Sequence, residues 1–242
     1  MAKLRGKNRF QRGKITFGSW SIEYIDASAL ESAIDLLLIK KINDFRTTNP
    51  APVIIDCGAN IGISVLNYKQ KYPRSKITAF EPDPNIFPVL KNNLTVNGAS
   101  DVNCVEAAVW TSQGKSHFFC EGADGSKLIN TGTSSSFIDV STIDLRKFIN
   151  EPVDLIKMDI EGAEFEVIPH ISGKMHLIEN FLIECHVNCD EIEKFSVMLH
   201  ALGNAGFNVS VSLLSGWTDL LQKPVRIKNG FDQYILISAW KT

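Results

Sequence analysis

No stretch of these 242 residues approaches the ~20 consecutive apolar residues that a transmembrane helix needs. Nor does an apolar run follow the opening MAKLRGKNRFQRGK that could form the core of a signal peptide. A membrane-spanning or exported chain is not expected. Net charge is also small: 25 basic against 27 acidic side chains leave −2, which argues against a surface built throughout for nucleic acid or for an anionic membrane. Partners are expected to be small or local. The five cysteines are odd in number, and Cys57, Cys104 and Cys185 sit inside apolar runs where a thiol behaves as a small core hydrophobe. A reducing cytoplasm fits that usage. Cys185, His186 and Cys189 form the one close Cys/His group, without the second ligand pair that structural zinc requires, so no metal is assigned.

A hydrophobic content of 44% over this length supports one sizeable core with decorations. The first residues carry Lys3, Arg5, Lys7, Arg9, Arg12 and Lys14 and read as a solvated basic arm. Residues 28–45 place apolar side chains at helical spacing behind Ser28 as N-cap, and TTNPAP closes them off. Residues 1–52 are therefore read as arm plus leading helix, and 53–242 as the main domain. From residue 53 onward the pattern alternates: strand 53–57, helix 62–71, strand 76–80, helix 84–96, strand 102–109, strand 153–159, helix 163–171, strand 180–186. Such alternation predicts an α/β fold with a doubly wound, mostly parallel sheet.

Two departures from the alternation are visible. Between 112 and 150 KSHFFC and SFIDVSTI read as strands around a Gly/Ser/Thr-rich stretch, a small β insertion after the third strand. After a helix over 191–205, FNVSVSLL and QYILISAW are joined by about 20 residues without helical period, which predicts an antiparallel pair at one edge of the sheet.

In an open parallel sheet ligands lie beyond the carboxyl ends of the strands. Here those ends carry Asp56, Glu81, Glu106, Asp159 and His186, five polar groups where stability alone would not place them, because a buried carboxylate is costly unless paired. The turn after residue 57 reads D-x-G-x-N-x-G. It lacks the glycines of a dinucleotide turn at Asn60 and Ile63, and the Lys-Ser/Thr pair of a phosphate loop. Glu81, about 20 residues further on, is placed to accept hydrogen bonds from both hydroxyls of a ribose, or to act as a helix N-terminal charge near Pro84. Asp56 either places an ammonium group or fixes the turn. Lys157 and Asp159 lie on the same side of a strand and could simply pair, while His186 beside Asp159 on a neighbouring strand becomes a candidate base.

The segments DCGANIG, AFEPDP, LIKMDIEGAEFEVI and FLIECH, in this order and spacing over residues 53–188, resemble the FkbM family of S-adenosylmethionine-dependent methyltransferases. The resemblance implies a cofactor site made from Asp56, Gly58, Ala59, Asn60, Gly62, Glu81, Pro82, Glu106, Ala107 and Asp159. The glycine turn would pass under the amino-acid end, Glu81 would take the ribose, and Glu106 to Ala108 would border the adenine. Asp159, Glu161 and His186 would face the acceptor as the catalytic group. The expected reaction is O-methylation of a hydroxyl on a sugar, glycan or polyketide-like small molecule. His186 or Asp159 would act as base, and a divalent ion held by Asp159, Glu161 and His186 is the second, less expected solution.

Three rival readings differ in class. A nucleic-acid or protein N-methyltransferase would suit the basic arm, but the position of its N-P-P-Y or D-P-P-Y tetrapeptide reads D-I-E-G here. A nicotinamide dehydrogenase would need the missing glycines. A non-catalytic nucleotide-binding module would have no use for Asp159 and Glu161.

Overall fold

A computed structural model describes residues 9–119, 127–128, 137–188, 190–216 and 233–241. The described chain opens with an antiparallel hairpin, β1 (Gly13–Phe17) and β2 (Trp20–Tyr24), which the sequence reading had not separated from the arm. Trp20, Ile22 and Tyr24 alternate inward with period two and are buried. Arg9 Nε donates to Asp26 Oδ2 at 2.6 Å and the Phe10 N–H donates to the same oxygen at 2.8 Å. The solvated-arm reading is therefore corrected from Arg9 onward; residues 1–8 lie outside the described residues.

The leading helix is also corrected. Asp26 is its N-cap: in extended geometry, its Oδ1 accepts from Ser28 N and Ala29 N, which leaves Ser28 inside the first turn. Helix α1 (Ala27–Ala33) then passes into a π-helical turn over Ile34–Ile39 rather than running on to residue 45.

The core elements follow as β3 (Val53–Cys57), α2 (Ile63–Lys71), β4 (Lys76–Phe80), α3 (Phe87–Val96) and β5 (Asn103–Val105). The single strand expected over 102–109 is two strands in two sheets. Val105 ends β5 by accepting from Glu81 N (3.1 Å) and Ala107 N (3.0 Å), and that tight turn redirects β6 (Ala108–Trp110) into a second sheet. There β6 joins β7 (Gly114–Phe119), β8 (Lys127–Leu128) and β9 (Phe137–Asp144) in the order β6-β9-β7-β8, with β7 and β9 antiparallel. The expected β insertion is this sheet. Most of its Gly/Ser/Thr-rich connection lies outside the described residues.

The chain returns through β10 (Leu155–Met158), α4 (Glu164–His170), β11 (Asn180–Val187), α5 (Ile192–Asn204), β12 (Asn208–Gly216) and β13 (Gln233–Trp240). The main sheet has the order β12-β13-β11-β10-β3-β4-β5, parallel from β11 to β5. Strand β13 runs antiparallel to both β11 and β12, as the edge pair predicts. Alternate side chains feed two cores: Ile54 and Leu155 join Tyr24, Leu30, Leu66 and Leu90 on one face, whereas Ile55 and Ile156 join Leu145, Val167 and Phe181 on the other. The hairpin and α1 thus share a core with β3 and α2. Strands β3, β4 and β5 step one way across the sheet, and β10 and β11 lie on the other side of β3. Strand order reverses between β3 and β10, where a crevice opens at the carboxyl ends.

Candidate active site

The turn between β3 and α2 owes its shape to three left-handed residues. Gly58 (φ +79°) donates to Phe80 O at 3.0 Å, and a Cβ on it would stand 1.9 Å from the carbonyl oxygen of Asp159. No residue but glycine fits there. Asn60 (φ 48°) is also left-handed, a conformation asparagine tolerates better than most side chains. Gly62 (φ +93°) caps α2, with Leu90 Cδ1 2.8 Å from where its Cβ would be.

Glu81 follows directly after β4. It is buried, with Oε2 accepting from Asn60 N (2.9 Å) and Oε1 from Asp83 N (2.9 Å). Glu81 therefore clasps the glycine turn to the β4–α3 loop. Burial pushes its carboxyl up to about 7, against the lowering effect of the two backbone donors.

Lys157 and Asp56 are direct neighbours in the β10–β3 register, at the point where strand order reverses. The buried Lys157 ammonium donates to Gly58 O at 2.7 Å and lies 3.4 Å from Asp56 Oδ1 and 3.5 Å from Asp159 Oδ2. Burial alone would lower its pKa, but Asp56, Asp159 and Glu184 outweigh burial and hold it protonated. The simple Lys157–Asp159 pair is thus one part of a larger group. Asp56 is fully buried beneath the turn and accepts from Ser64 Oγ at 2.5 Å, so it braces the loop and α2. Burial raises its carboxyl, opposed by Lys157 and Ser64.

Past β10 the chain turns through Glu161 (φ 56°) and Gly162 (φ +95°) into α4. A left-handed glutamate is strained, and Glu164 over-determines the turn by accepting from Ile160 N (2.8 Å) and Gly162 N (2.7 Å). The adjacent strand brings in the buried His186. Its Nε2 lies 3.5 Å from Glu161 Oε2 and 3.8 Å from Asp159 Oδ1, its Nδ1 lies 3.5 Å from Glu164 Oε1, and its ring packs edge-on against Tyr234 at 5.2 Å. Burial would lower its pKa; Glu164, Glu161 and Asp159 raise it to about 10 instead. With these carboxylates around it and no other cation bound, the imidazole favours its protonated form over the role of a base. Glu184 is pushed up to about 7 by burial and Asp159, and Glu161 rises well above the usual carboxylate range, chiefly by burial.

These groups line one cavity of about 470 Å³. Gly58, Ala59, Asn60, Glu81, Pro82, Ala107, Asp159, Glu161 and His186 all reach it. Asp56 and Gly62 support it from behind without lining it. Glu106 is exposed and turned out of the lining, because β5 ends one residue before it. The opposite wall comes from the N-terminal segment, where the sequence singled out no individual residue: Ile25, Leu30, Leu36 and Leu37 give an apolar surface, and Asn43 gives an amide. Asn43 is 5% exposed and its side chain makes no hydrogen bond among the described residues. No local signal in KINDF marks it.

The segment that builds this glycine turn, the clasping glutamate and the acidic far end matches a family model. The family described as Methyltransferase FkbM domain covers residues 56–209. The chain belongs to the FkbM methyltransferase family. Among curated proteins this FkbM domain resembles Methyltransferase 1 of Beauveria bassiana, 28% identical over 204 residues that span 72% of this chain and 80% of that one. It also resembles the 2-O-methyltransferase NoeI of Sinorhizobium fredii, 27% identical over 176 residues, 63% of this chain and 70% of the other. Among solved structures, TYW2 of M. jannaschii in complex with AdoMet shares the fold, with a TM-score of 0.56 at 12% identity over 96% of this chain and 87% of that chain. The FkbM chain is therefore a methyltransferase of Rossmann-like fold, and among the described residues no helix is long and apolar enough to cross a membrane.

Proposed function

We propose that the enzyme transfers a methyl group from S-adenosylmethionine to a hydroxyl oxygen of a small molecule or glycan. The observation that carries this reading is the polarity of the cavity. At one end Glu81 and the turn stand beside the apolar Phe80, Pro82, Ile86, Ala107 and Val109, a setting for a ribose and a flat base. At the other end the Asp159 carboxylate supplies negative charge that favours a sulfonium, with Glu161 and Glu184 as further oxygen acceptors. The relative NoeI, named as a 2-O-methyltransferase, supports oxygen as the acceptor atom.

The cofactor supplies an electrophilic methyl on a positively charged sulfur. The work left to the protein is alignment and proton removal. With the cofactor bound, the acceptor oxygen would take the methyl, the C–S electron pair would stay on sulfur, and the hydroxyl proton would have to leave. Asp159 is placed to receive it, since its carboxylate faces the cavity and remains 32% exposed, with one oxygen held by Lys157. His186 Nε2 lies 3.8 Å from the other oxygen. A positioned base contributes roughly 10²–10⁴-fold to rate.

Calorimetry with S-adenosylhomocysteine and with NAD tests the cofactor, and transfer from methyl-labelled donor to a panel of sugars and apolar alcohols tests the acceptor. Tight binding of the thioether and label on oxygen are expected. NAD binding more tightly would overturn the reading.

A further inference from the structure

We infer that Asp159, Glu184 and His186 form a divalent-cation site of the Mn²⁺ or Mg²⁺ class on the cavity wall, an inference that rests on this cavity being the methyl-transfer site. One ligand atom from each residue lies within 4.8 Å of the other two, and Glu161 adds a fourth oxygen 3.5 Å from His186 Nε2. Nε2 lies 3.5 and 3.8 Å from carboxylate oxygens of Glu161 and Asp159. These separations are close to those of neighbouring ligands on one ion, since two bonds of roughly 2.1 Å at right angles span roughly 3 Å.

The far side of the ring gives an independent reason. Nδ1 faces Glu164 at 3.5 Å, and Glu164 is fully buried and fixed by two backbone N–H groups. Behind a metal-binding histidine, a carboxylate in that position sets the tautomer that turns the Nε2 lone pair toward the ion. Charge points the same way. Asp159, Glu161, Glu164 and Glu184 crowd around one imidazole, and Lys157 reaches Asp159 through the other carboxylate oxygen, Oδ2. A divalent ion compensates this excess better than a single proton on His186. Mixed carboxylate and imidazole ligands favour Mn²⁺ over Mg²⁺. Bound there, the ion would hold the acceptor hydroxyl and lower its pKa, so that its proton leaves more easily.

The test is a Mn²⁺ titration of chelator-stripped protein, followed by electron paramagnetic resonance, with S-adenosylhomocysteine affinity measured on the same sample. The expected result is one bound Mn²⁺ per chain, displaced by excess Mg²⁺, with at least a tenfold loss in Glu184→Gln and roughly a 10–100-fold loss in Glu164→Gln. No bound Mn²⁺ at millimolar concentration overturns the inference, as does binding unchanged in folded Glu184→Gln; should that variant not fold, the wild-type titration decides. Thioether binding without Mn²⁺ binding removes the ion and leaves the methyltransferase chemistry standing. Mn²⁺ binding that depends on Glu184, without thioether binding, keeps the ion and removes that chemistry.

Discussion

Gly58 and Asp159 meet through their backbones across the β3–β10 switch point, with room for no side-chain atom between them: a Cβ at Gly58 would lie 1.9 Å from Asp159 O. The glycine turn after β3 and the carboxyl end of β10 are thus held in register by one glycine. Gly58→Ala combines a left-handed backbone with overpacking against a carbonyl, so a loss on the order of 3 kcal/mol is expected in urea unfolding. A loss below about 0.5 kcal/mol would show that the two segments shift apart easily.

Glu81 carries a pH signature. Its carboxyl sits at about 7 in the folded chain against an ordinary 4.5, so the folded state binds this proton more tightly than the unfolded one. The resulting stabilisation is complete below pH 4.5 and is lost as pH rises through 7, on the order of 3 kcal/mol for the ligand-free protein. Glu81→Gln should flatten the stability profile over that window, and parallel profiles for the two proteins would remove the assignment. Glu81→Ala should weaken S-adenosylhomocysteine binding at least roughly tenfold, because it unclasps the turn and, on the proposed cofactor pose, removes the acceptor for the ribose hydroxyls.

Asp26 serves the N-terminal segment as Glu81 serves the turn. Deleting through Arg12 should lower the melting temperature below that of a chain lacking only residues 1–8, since Arg9 and Phe10 bond to Asp26. Asp26→Ala removes the helix cap as well and should cost about 1–2 kcal/mol. Equal melting temperatures for the two truncations would show that the Arg9 contact contributes nothing.

Asn43 separates folding from binding. It is buried without a hydrogen-bond partner among the described residues, so Asn43→Leu should be neutral or stabilising in thermal melts while it weakens the binding of cofactor or acceptor in the cavity. Unchanged affinity for both would make the amide a packing residue only.

Local pattern alone placed β3, β4 and β13 at the boundaries they have, because a run of apolar, β-branched or aromatic residues ended by glycine or a charged residue is fully written within each segment. The same logic set the parallel order of the core and pointed to Asp56, Glu81, Asp159 and His186, since strand ends are readable one at a time. Other features depended on partners distant in sequence. The break after Val105 follows from hydrogen bonds with Glu81 and Ala107, and Glu106 leaves the cavity because of it. The raised pKa of His186 follows from Glu164 and Glu161, which arrive from another strand end, and the apolar wall and Asn43 come from a segment before β3. Such adjacency leaves no period in the sequence: contacts between residues 20 to 150 positions apart are chosen by which surfaces bury each other, and only the packed chain decides them.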